Sequence, residues 1–144
     1  MSETGLGDIA KKLKSIDFCM MSTHGGTGAI TNRPMSNNGD VEYDGSSWFF
    51  SYTATNKVAE ISRNAQLTLS FSEPSSLLGK PGMFISIEGE ASLIRDQARF
   101  EEHWVPDLDR WFPQGTKTPG ILLIKVQGKR VQYWDGEENG TFLL

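Results

Sequence analysis

Two runs of alternating side chains constrain this sequence more than any other feature. Leu67, Leu69 and Phe71 alternate with Thr68, Ser70 and Ser72, while Phe84, Ser86, Glu88 and Glu90 alternate with Ile85, Ile87, Gly89 and Ala91. A period of two sends successive side chains to opposite faces, so each run is a strand with a distinct inner and outer side. Between them, Glu73 to Gly82 carries two prolines and two glycines, which ends one ladder before the next begins. A chain with two such strands must find further strands to complete a sheet and bury its apolar face.

The remaining sequence supplies them. Ile16 to Thr23 is apolar and strand-like, Gly25-Gly26-Thr27-Gly28 offers the permissive backbone of a tight turn, and Ala29 to Met35 returns as the second arm of a hairpin. The turn-rich stretch Ser36 to Ser46 leads into Ser47-Trp48-Phe49-Phe50-Ser51-Tyr52, whose aromatic side chains suit a third strand. Ile121 to Val126 and Arg130 to Trp134 are expected to form a last hairpin across Gly128.

Helical spacing occurs in three places. Leu6, Ile9, Ala10 and Leu13 share a face within Leu6 to Ser15. Val58, Ile61 and Ala65 do so after Thr55, a natural N-cap, with Asn64 placed to end that helix in the left-handed region. Asp96 to Val105 is the third, and Pro106 to Pro119 is an irregular connection containing Trp111 and Phe112. The sum is a mainly β chain of six or seven strands with short helices, forming one domain over residues 1–144.

Composition narrows the function. A hydrophobic share of 38% and a charged share of 22% exclude a disordered chain. The net charge of -4 argues against nucleic-acid binding, which needs clustered Lys and Arg, so any anion site must be local. Cys19 is the single cysteine, which excludes an intramolecular disulfide, and its apolar surroundings Phe18 to Met21 assign it to packing. Met1 to Ser15 lacks the apolar core of an export signal and no stretch reaches membrane-spanning length, so a soluble cytoplasmic protein without membrane association is expected. His24 and His103 are too few and too far apart in sequence for a metal site, and both read as surface or structural residues. Gly25 to Gly28 lacks the following helix and lysine of a phosphate loop, and Glu101-Glu102 and Glu137-Glu138 read as solvated faces.

The candidate chemistry lies in Thr31-Asn32-Arg33-Pro34-Met35 read together with Phe49 to Lys57. A phosphate dianion is well held by a guanidinium, an ammonium, hydroxyls and the free N–H groups of a helix's first turn. Arg33, Lys57, Thr53, Thr55 and the helix starting near Asn56 can supply each part. Taken singly, each also fits an ordinary surface or capping role.

The order of these elements resembles the pyridoxamine 5′-phosphate oxidase-like flavoproteins, and more narrowly their short branch of general stress FMN-binding proteins. The similarity is carried by the strand ending Arg33-Pro34-Met35, the aromatic strand Trp48-Phe49-Phe50, Thr55-Asn56-Lys57 at a helix start, Gln66 to Phe71, Trp111-Phe112-Pro113 and Tyr133-Trp134-Asp135. It implies a six-stranded antiparallel split β-barrel with Greek-key-like connections, forming a homodimer with one FMN in each of two clefts at the subunit interface. By matching position, Arg33 and Lys57, with Thr55 and Asn56 beside them, would take the phosphate. Trp48 to Ser51 and Arg33 to Met35 would border the ring system through backbone donors and acceptors. Of the tryptophans, Trp48 suits the core, Trp111 and Trp134 fall in segments that reach the partner subunit or the ring in the resembling family, and Trp104 has no assigned role.

Two functions follow from the resemblance: a non-catalytic flavin-binding stress protein, and a flavin-dependent oxidoreductase acting on a small molecule. The chain stops at Thr141-Phe142-Leu143-Leu144, without the Arg- and His-bearing segment by which the full-length oxidases hold their substrate phosphate, which argues against vitamin B6 oxidation. An empty split-barrel interaction module is a third reading, and it has no need of cations at Arg33 and Lys57.

Overall fold

The two alternating runs form the middle of a single antiparallel sheet. A computed structural model describes residues 4–37 and 43–144, so the turn-rich stretch after Ser36 lies partly outside the described residues. The strands are β1 (Phe18–His24), β2 (Ile30–Ser36), β3 (Ser46–Tyr52), β4 (Gln66–Ser72), β5 (Phe84–Ile94), β6 (Ile121–Asp135) and β7 (Glu138–Leu143). Helix α1 (Leu6–Lys14) precedes them, α2 (Asn56–Arg63) follows β3, and α3 (Gln97–His103) follows β5, with short 3-10 turns at Pro106–Arg110 and Gly115–Lys117.

Neighbouring strands run in the order β2-β1-β4-β5-β6-β3, with β7 added on β6. Inward side chains from β1 to β6, among them Met21, Met35, Phe49, Leu69, Ile87 and Ile124, meet in one buried cluster, to which α1 adds Ile9 and Leu13. One shared interior requires the sheet to roll on itself. Among the described residues no ladder joins β2 to β3, so the barrel is split between these two edge strands. Strand β3 is buried on both faces: Phe49 points into the barrel, and Phe50 joins Phe100, Phe112, Ile121 and Leu123 in a second cluster beneath α3 and the 3-10 turn after it.

The sheet has seven strands, within the six or seven expected, and β7, with its polar start Glu138-Asn139-Gly140, pairs with the second half of β6. Two expectations are corrected. Ile121 to Trp134 is one continuous strand and Gly128 is no hairpin turn. The register passes from Glu88↔Arg130 to Gly89↔Gly128, leaving Lys129 as a bulge. A Cβ on Gly128 would collide with the Tyr43 hydroxyl, and one on Gly89 would stand 2.7 Å from the Gln127 carbonyl oxygen. These glycines permit close backbone approach. Asn64 does end α2, but in extended conformation with φ -147°. Cys19 is buried, and that burial pushes its thiol up to about 12, which suits a packing role. No described helix is long and apolar enough to cross a membrane.

Candidate functional site

A cleft of about 560 Å³ opens where the barrel is split, within the size range of small-molecule and cofactor sites. One wall is Pro34 to Asn37 at the end of β2, and the opposite wall is Trp48 to Tyr52 on β3. Thr55 and Lys57 close one end at the start of α2, and residues between His103 and Phe112 close the other side. Among the described residues β2 and β3 are ladder edges, so each has backbone N–H and C=O groups without a ladder partner on the side of the split.

Lys57 donates from Nζ to Ser51 Oγ at 2.9 Å. Burial, and then the charge of Arg33, holds its ammonium below the ordinary lysine value. Thr55 is the N-cap residue, yet its hydroxyl donates back to the Tyr52 carbonyl at 3.1 Å and makes no bond to its own helix. The first-turn N–H groups of α2 therefore lack a side-chain cap, and no acidic residue stands in that turn.

Arg33 is placed differently. Its Nη1 donates to the Met21 carbonyl at 3.3 Å and to Thr23 Oγ1 at 2.6 Å, and its Nη2 donates to Thr31 Oγ1 at 2.9 Å and to Glu60 Oε1 at 3.0 Å. Glu60, on α2, is buried and also accepts from Thr23 at 2.9 Å and from Thr31. These hydroxyl bonds, Thr31 first and Thr23 next, with the guanidinium, hold its carboxyl below the usual carboxylate range. The Arg33 side chain is thus turned to Glu60 and forms no part of the cleft wall.

At the other end, Trp48 stacks on His103 with centroids 3.6 Å apart and planes at 17°. Arg99 and Lys125 stand 5.4 and 5.3 Å from the same indole. Burial lowers the His103 pKa, with Arg99 and Lys125 acting in the same direction and Glu102 and Asp44 against them. His103 Nε2 is buried and has no hydrogen-bond partner among the described residues. Trp111 lines the cleft and stays 53% exposed, whereas Trp104 packs edge-on against Phe50 and Phe112. Among the described residues no cluster of side chains suits a metal ion.

The fold therefore gathers Pro34, Met35, Trp48, Phe49, Phe50, Ser51, Thr55, Lys57 and Trp111 around one space. Arg33, Thr53, Asn56 and Trp134 are outside its wall in this chain. Thr53 spends its backbone N–H on the Gly120 carbonyl at 2.7 Å, and Trp134 lies across from Phe84 on the sheet's outer face. Sequence reasoning missed His103, Tyr52 and Phe112 as wall residues and Glu60 as the partner of Arg33. The i, i+4 spacing of Arg99 and His103 on α3 was the available signal for the first of these.

The chain matches the model of the family described as pyridoxamine 5′-phosphate oxidase like over residues 6–144. No curated protein matches it. Among solved structures it is similar to a protein of Clostridium acetobutylicum related to general stress protein 26, at 20% identity and a TM-score of 0.77, covering 93% of this chain and 90% of the other. It is likewise similar to general stress protein 26 of Bacillus anthracis, at 19% identity and a TM-score of 0.74, with 94% and 95% covered. A haem-binding protein of Mycobacterium smegmatis has 9% identity and a TM-score of 0.76, with 99% of this chain and 60% of that one covered. At these identities the likeness shows a shared fold.

Proposed function

The chain belongs to the pyridoxamine 5′-phosphate oxidase-like family, and from that premise we propose that its cleft binds FMN as one of two equivalent sites in a homodimer. The observation that carries this reading is the cleft's polarity along its length. Lys57, Ser51, Thr55 and the uncapped start of α2 form a phosphate-sized polar end, and Trp48, Leu108 and Trp111 form flat apolar walls. Between them, the free edges of β2 and β3 match the alternating donors and acceptors of a flavin's pyrimidine edge. Arg33 adds charge from behind the wall. Bound here, the flavin would supply one- and two-electron chemistry that the side chains lack.

The homodimer reading is supported by the outer face of the sheet. Phe18, Met20, Phe84 and Trp134 are exposed there, and Phe18 also lines the cleft, so the apolar surface continues into the cleft mouth. A second copy seated on this face would roof the flavin and bring its own Trp134 toward it.

We favour a flavin-binding stress protein over an oxidase for pyridoxamine 5′-phosphate. The described cleft wall offers Lys14 and Lys57 as lysines and faces them with Asp17 and Asp107, so a second phosphate beside that of FMN would be poorly compensated. Reduction of another small molecule is the alternative. A haem iron needs an axial ligand, and the histidine in this wall is stacked on Trp48 with its Nε2 buried.

Purified protein should show the absorption bands of oxidised flavin, release a cofactor carrying one phosphate and sediment as a dimer. Colourless protein that takes up no added FMN defeats the reading. Anaerobic titration with reduced nicotinamides then separates carrier from reductase.

A further inference from the structure

We propose that His103 is a positioning residue that fixes Trp48 as the wall for the flavin ring, and that it does so only as the uncharged imidazole, so that flavin is released in mild acid. The inference rests on the flavin reading above and deepens it. Lys57 and Ser51 mark the phosphate end of the cleft, and Trp48 stands three residues before Ser51 along β3. At about 3.3 Å per residue that is roughly 10 Å, the reach of an extended ribityl chain, which sets Trp48 at the ring end. Trp48 and His103 are both wall residues. His103, in the last turn of α3, lies flat on the indole with centroids 3.6 Å apart and planes at 17°.

The same indole already has two cations beside it. Lys125 faces Trp48 across the β3–β6 ladder at 5.3 Å, and Arg99, one turn before His103 on α3, stands at 5.4 Å. The charged groups around the imidazole are Arg99 and Glu102 on α3, Lys125 on β6 and Asp44 before β3. Cations and carboxylates act in opposite senses there, and burial, the largest influence, favours the neutral ring. An imidazolium donates from both nitrogens. His103 Nε2 is buried and has no partner among the described residues, so a proton there would lack an acceptor. Charging His103 therefore drives it out of the stack, and Trp48 loses the ring that fixes it. Because the folded chain takes up this proton less readily than the unfolded one, the stack is complete above about pH 6.5 and is lost as pH falls through the lowered value.

Riboflavin is the first probe, because a phosphate monoester takes up its own second proton at about pH 6 and would mask the histidine. Riboflavin affinity of the full chain is measured from about pH 8 to about pH 4.5 beside the ring-proton NMR signal of His103, told from that of His24 with His24→Gln. Affinity should fall more than about threefold, with the same midpoint as the signal. His103→Phe keeps a flat ring and cannot titrate, so its affinity at neutral pH should stay within about threefold of the parent and its acid limb should vanish. His103→Ala should be weaker by roughly threefold to tenfold at neutral pH and level across the range. With FMN the limb appears in the ratio of parent to His103→Phe affinity, in which the phosphate's titration cancels. A parent affinity that stays level while His103 titrates overturns the proposal, as does an imidazole still uncharged at about pH 4.5 or a limb that survives in His103→Phe. So does a His103→Ala chain that binds as well as the parent, since the stack would then position nothing. If His103→Phe does not fold, Lys125→Met decides: with one like charge gone the limb should move toward pH 6.5, and an unmoved limb overturns the proposal. A parent chain that takes up neither flavin ends the cofactor reading itself, whereas one that holds FMN without a histidine-linked limb ends only this proposal.

Discussion

Arg33 and Lys57 are two cations that the sequence presents as equals, and the fold treats them as opposites. Lys57 sits in the cleft wall with a single side-chain partner, the Ser51 hydroxyl. Arg33 is knotted to a buried carboxylate, two threonines and a backbone carbonyl. A cation saturated by its own protein contributes to stability and to the local field, and one left with a single hydroxyl is available to a ligand. The comparison teaches that two cations alike in charge can differ in how many partners the protein already gives them, and the variants below ask whether that difference separates a binding residue from a structural one.

The largest expected difference is in stability. Arg33→Ala strands the buried Glu60 carboxylate among hydroxyls, and removing one member of a buried pair leaves a charge without compensation. Its thermal midpoint should fall by on the order of 10 °C, while Lys57→Met should stay within about 2 °C of the parent. Equal shifts in a calorimetric or dichroism melt would break the comparison. Next in size is the effect on the cofactor. Lys57→Met should lower FMN affinity roughly 10- to 100-fold, as expected for loss of a hydrogen bond to a charged group, and change riboflavin affinity less than about threefold. Titration of both flavins checks this, and an equal loss for the two would mean that Lys57 supports the wall instead of the phosphate.

Much of this was legible beforehand, and what was not has a physical cause. The β4 and β5 alternation, the Gly25–Gly28 hairpin turn and the start of α2 after Thr55 are local patterns, set by residues within a few positions of one another. Gly128 misled because a glycine between two apolar runs has the look of a turn. Its true constraint is the Tyr43 hydroxyl, 85 positions away in sequence (128 minus 43). The strand β7 was hidden by its polar start, since an edge strand need bury only alternate residues, here with Phe142 stacked near Tyr133. The Arg33–Glu60 pair is likewise non-local, 27 residues apart, and neither residue type announces a buried partner. The stack of His103 on Trp48 is hidden in the same way, because helix α3 meets β3 only in the folded chain.

The smallest effects come from pH, and they separate the two cations by window. Glu60 has a lowered pKa, so between that value and the ordinary 4.5 the unfolded chain binds more protons than the folded one and stability rises with pH. The contribution of the Arg33 knot is thus complete above about 4.5 and is lost as pH falls through the depressed value. Melts of the parent chain and of Arg33→Met/Glu60→Gln should converge in acid as that contribution disappears. Lys57 is also lowered, by burial first and Arg33 second, and the consequence appears in alkali. A phosphate is held by the protonated amine, so FMN affinity should begin to fall before pH reaches 10.5, by roughly threefold over the alkaline limb. Riboflavin should show no such fall. Lys57→Arg, whose guanidinium stays charged there, should flatten the FMN profile, and a profile that keeps its slope in that variant would assign the titration to a group other than Lys57.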